Sequence, residues 1–442
     1  MPINTTPVAE PAARPAGQAL RLLLSFAYFF FLLAAYYVVR PLREEMGVKF
    51  GPERLQWLFT ATFITMVALT PVYGAMVSRF RRRIFVPAVY LFFLACLLGF
   101  RWIVVRDLGG DWLPPVFYVW VSVFNLFAVS VFWSYMADIW DPSQAKKVFG
   151  VIAAGGTCGG VAGPLLTRSM AELIGLPGLM ALAAGLLLAA LAVVLALGPL
   201  ATVRKRTGDG ATDEAPIGGS MLAGIRLVVS RRELWPLALM MFCGVLVGSI
   251  IYLQQARAVE AAIADPIQRT RFFASIDLAV NLITLVAQLG LTRLLFSWLG
   301  TGRVLLIPPL LMVLCFSALY FFPVIGVLAV VQTITRAGRF ALTEPAMASL
   351  YTSLDREVRY KAKAFIDTAV YRFGDLSSAW MVALLSSAGV ALAGFALIGI
   401  GVATAISRVG FLAGSAHEAR VAGIRDKDKQ PALVAQPASP PA

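Results

Sequence analysis

The chain has 442 residues, of which 59 % are hydrophobic and 14 % charged, with a mean hydropathy of +0.79. Soluble domains carry about 25 % charged residues, so a water-soluble globule is excluded. The formal charge of +14 is no nucleic-acid footprint, because the basic residues collect in short loops between apolar runs. Four cysteines, Cys96, Cys158, Cys243 and Cys315, all lie in apolar segments and show neither a disulfide framework nor metal-ligand spacing.

Residues 1–19, rich in Pro and Ala, read as a disordered N-terminal tail without a signal-peptide core. The run from Leu22 to Val39 is then a retained helix. A helix needs about 20 apolar residues to cross the hydrocarbon, and these runs are too long for barrel strands. Helices also satisfy their own backbone groups in lipid. Apolar windows predict spans at 20–39, 55–78, 84–105, 113–137, 147–171 and 176–199 in a first half covering 20–199. A hydrophilic linker follows at 200–233, with a short amphipathic helix around Met221 to Val229. A second half at 234–412 holds spans at 234–256, 271–296, 304–322, 324–350, 362–388 and 390–412. The remainder, 413–442, is a tail that from Asp426 mixes charges with four prolines and is expected to be disordered. The fold class is therefore an all-α polytopic membrane protein of twelve helices in two halves of six, of the kind built from parallel repeats. A weak internal echo agrees: an acidic residue precedes the lysine opening the next helix in both Asp141 to Lys147 and Asp355 to Lys363.

Loop charge orients the bundle. Arg79, Arg81, Arg82 and Arg83, then Lys146 and Lys147, then Arg204, Lys205 and Arg206, then Arg356, Arg359, Lys361 and Lys363 fall in alternate loops. Both termini are thus expected to face the cytoplasm. The opposite loop mixes Arg40, Arg43, Lys49 and Arg54 with Glu44, Glu45 and Glu53.

Several residues could carry transport. Arg40 ends the first apolar run behind Tyr36, with Pro41 constraining the helix exit and Arg43 three residues on. A guanidinium there either binds phosphate or carboxylate through paired hydrogen bonds or snorkels to the interface. Arg79 anchors the second–third loop or latches neighbouring helices. Asp138, ending the fourth span, pairs with Lys146 or Lys147, gates, or touches substrate. Gly155, Gly159 and Gly163 recur every four residues, with Gly156 and Gly160 as an offset pair, and expose a bulk-free helix face. Close helix packing is the natural reading, because no Lys-Ser/Thr pair completes a phosphate loop. In the eighth span Asp277, Asn281, Thr284 and Gln288 form a polar stripe. In the tenth, Arg336, Arg339 and Glu344 interrupt an apolar run, and buried charges of this kind usually pair or line an aqueous path. Glu344, five residues from Arg339, balances it only imperfectly along one α-helix. The eleventh span supplies Lys361, Lys363, Asp367, Arg372 and Asp375 at pairing distances. His417, the sole histidine, reads as interfacial.

Three segments carry a family resemblance: Tyr36 to Val48 (YYVVRPLREEMGV), Trp140 to Gly156 (WDPSQAKKVFGVIAAGG) and Tyr360 to Asp375 (YKAKAFIDTAVYRFGD). The chain from 20 to 412 resembles the bacterial branch of the ATP:ADP antiporter family, which lies within or near the major facilitator superfamily. That resemblance implies a major-facilitator-like bundle, alternating access and exchange of nucleotide anions. The facilitator loop pattern sets an acid between a glycine and the basic group; here Ser78 stands at that place, so a latch either uses Asp138 or another acid or is weaker.

Taken together, these features predict a secondary active transporter of the bacterial inner membrane, exchanging nucleotides or related phosphorylated or organic anions. Substrate binding is expected at Tyr36, Arg40, Arg336, Arg339, Glu344, Lys361 and Lys363. Coupling or gating is expected at Arg79, Asp138, Lys147, Asp277, Asp367, Arg372 and Asp375. Membrane lipid and a small anionic solute are the expected partners, with no metal, cofactor, nucleic acid or obligate protein partner. A proton-coupled exporter in which Asp277, Glu344 or Asp367 titrates is the first alternative. A non-transport scaffold or receptor is the second. No nucleophile–base motif suggests an enzyme.

Overall fold

A computed structural model describes residues 15–80, 82–200, 221–354 and 356–429. Residues 201–220 of the expected linker 200–233 and the outermost tails lie outside the described residues, as do Arg81 and Asp355. Among the described residues every regular element is a helix. Proline opens many of them, where its fixed φ suits the first turn and its missing N–H costs nothing. Pro114 starts α4 (Leu113–Ile139), Pro142 starts α5 (Pro142–Leu197), Pro236 starts α7 (Trp235–Ala262) and Pro308 starts α10 (Ile307–Phe321).

Nine described helical stretches are long and apolar enough to cross a membrane. One of them, Lys147–Leu197, breaks in two at Gly175, whose φ of 62° and ψ of −177° belong to no α-helix and favour glycine. The shorter α10 and the charged stretch formed by α13 (Arg356–Phe365) and α14 (Tyr371–Ser387) bring the described spans to twelve. The remaining helices are α1 (Pro15–Phe50), α2 (Leu55–Arg79), α3 (Arg82–Val105), the linker helix α6 (Met221–Ser230), α8 (Pro266–Val286), α9 (Thr292–Val304), α11 (Ile325–Gly338), α12 (Glu344–Leu350) and α15 (Leu392–Lys429).

Hydropathy misplaced several ends. α1 starts at Pro15, so residues 15–19 are helical rather than part of a disordered tail. It also runs through Pro41 to Phe50, so Pro41 does not end the helix. Proline inside a membrane helix is tolerated where neighbours take over the freed backbone groups. α15 likewise continues to Lys429, past the limit of 412 and into the stretch expected to be disordered. Polar residues carry both extensions, and a hydropathy window cannot follow a helix into them.

The chain divides into two compact units, residues 1–46, 64–207 and 265–278 in the first and 47–63, 208–264 and 279–442 in the second. The first unit is built on aromatic packing and small residues. Tyr28 and Tyr90, both fully buried, share a 2.5 Å hydrogen bond, and Tyr90 Oη donates onward to the Ala128 carbonyl at 3.1 Å. Two buried hydroxyls are thereby satisfied without water. Phe29 stacks on Phe132 at 4.0 Å, and Trp120 on Phe124 at 5.6 Å. The glycine ladder of α5 lies directly on α1. A methyl group on Gly155, Gly159 or Gly163 would come within 2.4, 2.3 or 2.7 Å of the backbone oxygens of Phe26, Phe30 or Ala34. Packing is what this stripe does.

In the second unit α10 and α15 pack together, and α7 packs against α11, α14 and α15. Three of its membrane stretches contain a turn with i→i+5 bonding, at Ala287–Leu291, Arg339–Thr343 and Ile366–Val370. Such π-turns insert one residue, rotate everything beyond them, and often mark functional segments.

Candidate functional site

In the first unit, charge gathers where the far end of α1 meets the start of α8. Arg40 Nη1 lies 3.2 Å from the Asp277 carboxylate, and Asp277 is only 3 % exposed. One turn on, Glu44 stands 3.9 Å from Arg40 and 3.4 Å from Arg43. Arg43 also donates to the Tyr118 hydroxyl at 3.1 Å and covers its ring. Arg269, from the first turn of α8, reaches the buried Glu45 at 3.7 Å. Among the described residues three arginines thus meet three carboxylates, and this set of six is neutral. Neutrality is what burial demands, since an unpaired charge in the membrane interior is costly. Tyr36 is buried one turn before Arg40.

This arrangement corrects the reading of Glu44 and Glu45 as loop residues. They sit in the continuing helix α1 and are 7 % and 1 % exposed. It also joins Arg40, expected to bind substrate, to Asp277, expected to couple. Arg269 had no place in the sequence reading; its partner Glu45 lies far away along the chain, and local spacing carries no trace of the pair.

The second unit holds a different kind of cluster, along α11 to α14. Arg339 opens the π-turn Arg339–Thr343, and its Nε lies 3.2 Å from the Glu344 carboxylate. Residues five apart on an ideal α-helix point about 140° away from each other. The inserted residue removes most of that divergence, so the pair forms where regular periodicity had set the two apart. The Tyr371 ring is shared by two guanidinium groups, with Arg339 and Arg372 each 5.4 Å from its centre. Arg372 approaches Asp375 at 3.9 Å, and Asp375 accepts from the Ser249 hydroxyl at 3.4 Å. Lys363 pairs with Asp367 at 2.5 Å and stands over the Tyr351 ring. Arg336 and Lys361 are half-buried on the same stretch. Tyr371 was quoted in a family motif but given no role. Its signal was its place beside Arg372, four residues after Asp367.

Charge does not balance here. Residues 325–387 contain seven basic and five acidic side chains. Among the residues with described side chains, Arg336, Arg339, Lys361, Lys363 and Arg372 share the stretch with Glu344, Asp367 and Asp375. Half of that surplus lies in the loop between the spans. Within the spans 324–350 and 362–388, three basic residues besides Lys363 are matched by three acids with Lys363 in excess, a surplus of one that favours an anionic complement.

The other expected positions fall outside both clusters. Arg79, Asp138 and Lys147 are exposed near the ends of α2, α4 and α5. The polar stripe of α8 is divided: Asp277 joins the first cluster, Thr284 is buried, and Gln288 lies in the π-turn and donates to the Phe340 carbonyl at 3.2 Å.

The family model described as Major Facilitator Superfamily matches residues 22–374. No curated protein sequence matches the chain. Among solved structures, a bacterial homolog of the human lysosomal transporter Spinster, inward-facing and unoccupied, is similar at TM-score 0.59 and 14 % identity, covering 94 % of this chain and 99 % of that one. The nucleoside transporter NupG is similar at TM-score 0.56 and 14 % identity, covering 91 % and 99 %. A bacterial homologue of the iron transporter ferroportin reaches TM-score 0.62 at 12 % identity, covering 91 % and 100 %. At such identities these likenesses establish the fold.

Proposed function

Because this chain belongs to the Major Facilitator Superfamily, we propose that it is a secondary carrier of the bacterial inner membrane working by alternating access on a small anionic solute. The solute class is nucleotides or related phosphorylated or organic anions, as the resemblance to the bacterial ATP:ADP antiporter branch implies, and both termini face the cytoplasm. One observation carries the reading: the α11–α14 stretch keeps an excess of positive charge, one within its spans 324–350 and 362–388 and one in the loop between them. Arg339 is the primary anion contact. Arg336, Lys361 and Lys363 add attraction, and Glu344 steadies the Arg339 guanidinium, with its planar pair of donors available to phosphate or carboxylate. Arg40 and Tyr36 form the corresponding polar ground in the first unit. Asp277, Asp367, Arg372 and Asp375 act in coupling, and Arg79, Asp138 and Lys147 in gating. Exchange follows if the empty carrier crosses slowly for want of the anion that neutralises it.

The test is uptake of labelled nucleotides, phosphate esters and organic anions into proteoliposomes, with and without internal counter-substrate. Saturable uptake accelerated by internal anion is expected. Uptake driven by a proton gradient without counter-substrate would replace exchange with the proton-coupled alternative, in which Asp277, Glu344 or Asp367 titrates.

A further inference from the structure

Pro345 is the second residue of α12, directly after the π-turn that begins at Arg339. Proline has no N–H, so it gives nothing to the carbonyl four residues earlier, that of Ala341, or to the one five earlier, that of Phe340. A backbone carbonyl within the membrane needs a donor from elsewhere. Both carbonyls receive one from the stretch leading from α8 into α9. Gln288 Nε2 donates to the Phe340 oxygen at 3.2 Å, and Thr292 Oγ1 to the Ala341 oxygen at 3.1 Å. Thr292 also lies 3.0 Å from the Ala287 carbonyl of its own π-turn, so one hydroxyl proton serves two turns. The two π-turns are therefore stitched to each other by side chains.

The turn held in this way is the one that brings Arg339 to Glu344. We infer that Gln288 and Thr292 are positioning residues: they hold the π-turn that precedes Pro345 and so fix the direction of the Arg339 guanidinium. As a determinant of solute affinity the inference rests on the anion reading above; as a statement about the turn it stands alone. Neither residue needs to touch the solute.

The experiment compares full-length protein with Gln288→Met, Thr292→Val, both together, and Thr292→Ser, each with and without Pro345→Ala. One readout is amide hydrogen exchange over residues 339–344 in purified protein. The other is counterflow in proteoliposomes with ADP, inorganic phosphate and citrate as probes. The double variant should exchange roughly tenfold faster over 339–344, as expected for two lost hydrogen bonds. Its half-saturation should rise roughly tenfold while its maximal rate stays within about twofold. Thr292→Ser keeps the hydroxyl and should match native protein. Pro345→Ala restores a backbone donor, so in that background the double change should alter exchange by less than about threefold. Native exchange in the folded double variant, or an equal effect with and without Pro345, overturns the inference. If the double variant does not fold, the exposed Gln288→Met alone decides by the same comparison, with roughly a threefold effect expected. If native protein transports none of the probes, the anion reading falls, and the exchange cycle with Pro345→Ala still decides the positioning role.

Discussion

Replacing Gly159 by alanine adds one methyl group at the tightest point between α5 and α1. Its Cβ would lie 2.3 Å from the Phe30 carbonyl oxygen and 2.9 Å from the Ala34 nitrogen. Both are backbone atoms, so no side chain can swing aside. Ordinary contact begins at 3.4 Å, so the helices must separate by about 1 Å over several turns, weakening the neighbouring Gly155 and Gly163 contacts as well. Overpacking of this kind costs about 2–3 kcal/mol, offset by about 1 kcal/mol from the better helix propensity of alanine. Gly150 in the same helix supplies the control, because nothing lies within 4 Å of its Cβ position. Gly150→Ala should therefore gain up to about 1 kcal/mol where Gly159→Ala loses about 1–2 kcal/mol. Thermal unfolding of the two variants in one detergent should place their midpoints on opposite sides of native protein. Equal midpoints would refute the close-contact reasoning.

Three other outcomes are expected. Asp277→Asn leaves Arg40 without its nearest carboxylate and should destabilise the protein by about 3 kcal/mol; adding Arg40→Met should recover much of the loss, and additive losses in denaturation would show that the pair is not coupled. Arg339→Lys keeps the charge but loses the planar fork, so solute affinity should fall roughly tenfold with folded yield unchanged, measured by binding to monodisperse protein; native affinity in both Arg339→Lys and Arg339→Ala would make the residue architectural. Thiol labels near Arg82, Gly210 and Lys429 should report the cytoplasmic side in intact cells and a label near Asp111 the opposite side, and reversed accessibility at Arg82 and Gly210 would overturn the orientation.

The helical spans were legible because lipid imposes a length and a polarity that can be counted along the chain. The glycine ladder was legible for a similar reason: a four-residue repeat of missing side chains already describes a face. What escaped depended on partners far away in sequence. Glu44 and Glu45 look like loop acids until Arg269 and α8 are beside them. Pro41 looks like a helix end, yet α1 continues past it to Phe50. The Arg339–Glu344 pair was read as an imperfect match on sound α-helical arithmetic, and the arithmetic failed because the π-turn changes the local period. A proline one residue after an acid in an apolar run was the available sign, and reading it required asking which carbonyls it leaves without a donor.

The unequal charge content of the two clusters has an electrical side. A membrane potential exerts force only on net charge, about 2.3 kcal/mol per elementary charge for each 100 mV crossed. The group around Arg40 and Asp277, with three charges of each sign, offers the field no handle. The spans 324–350 and 362–388, with a surplus of one, do. On the proposed anion reading, a monoanion seated there cancels that force and a dianion reverses it, so the valence of the cargo, rather than its size, sets how strongly voltage biases one direction of a transport cycle over the other.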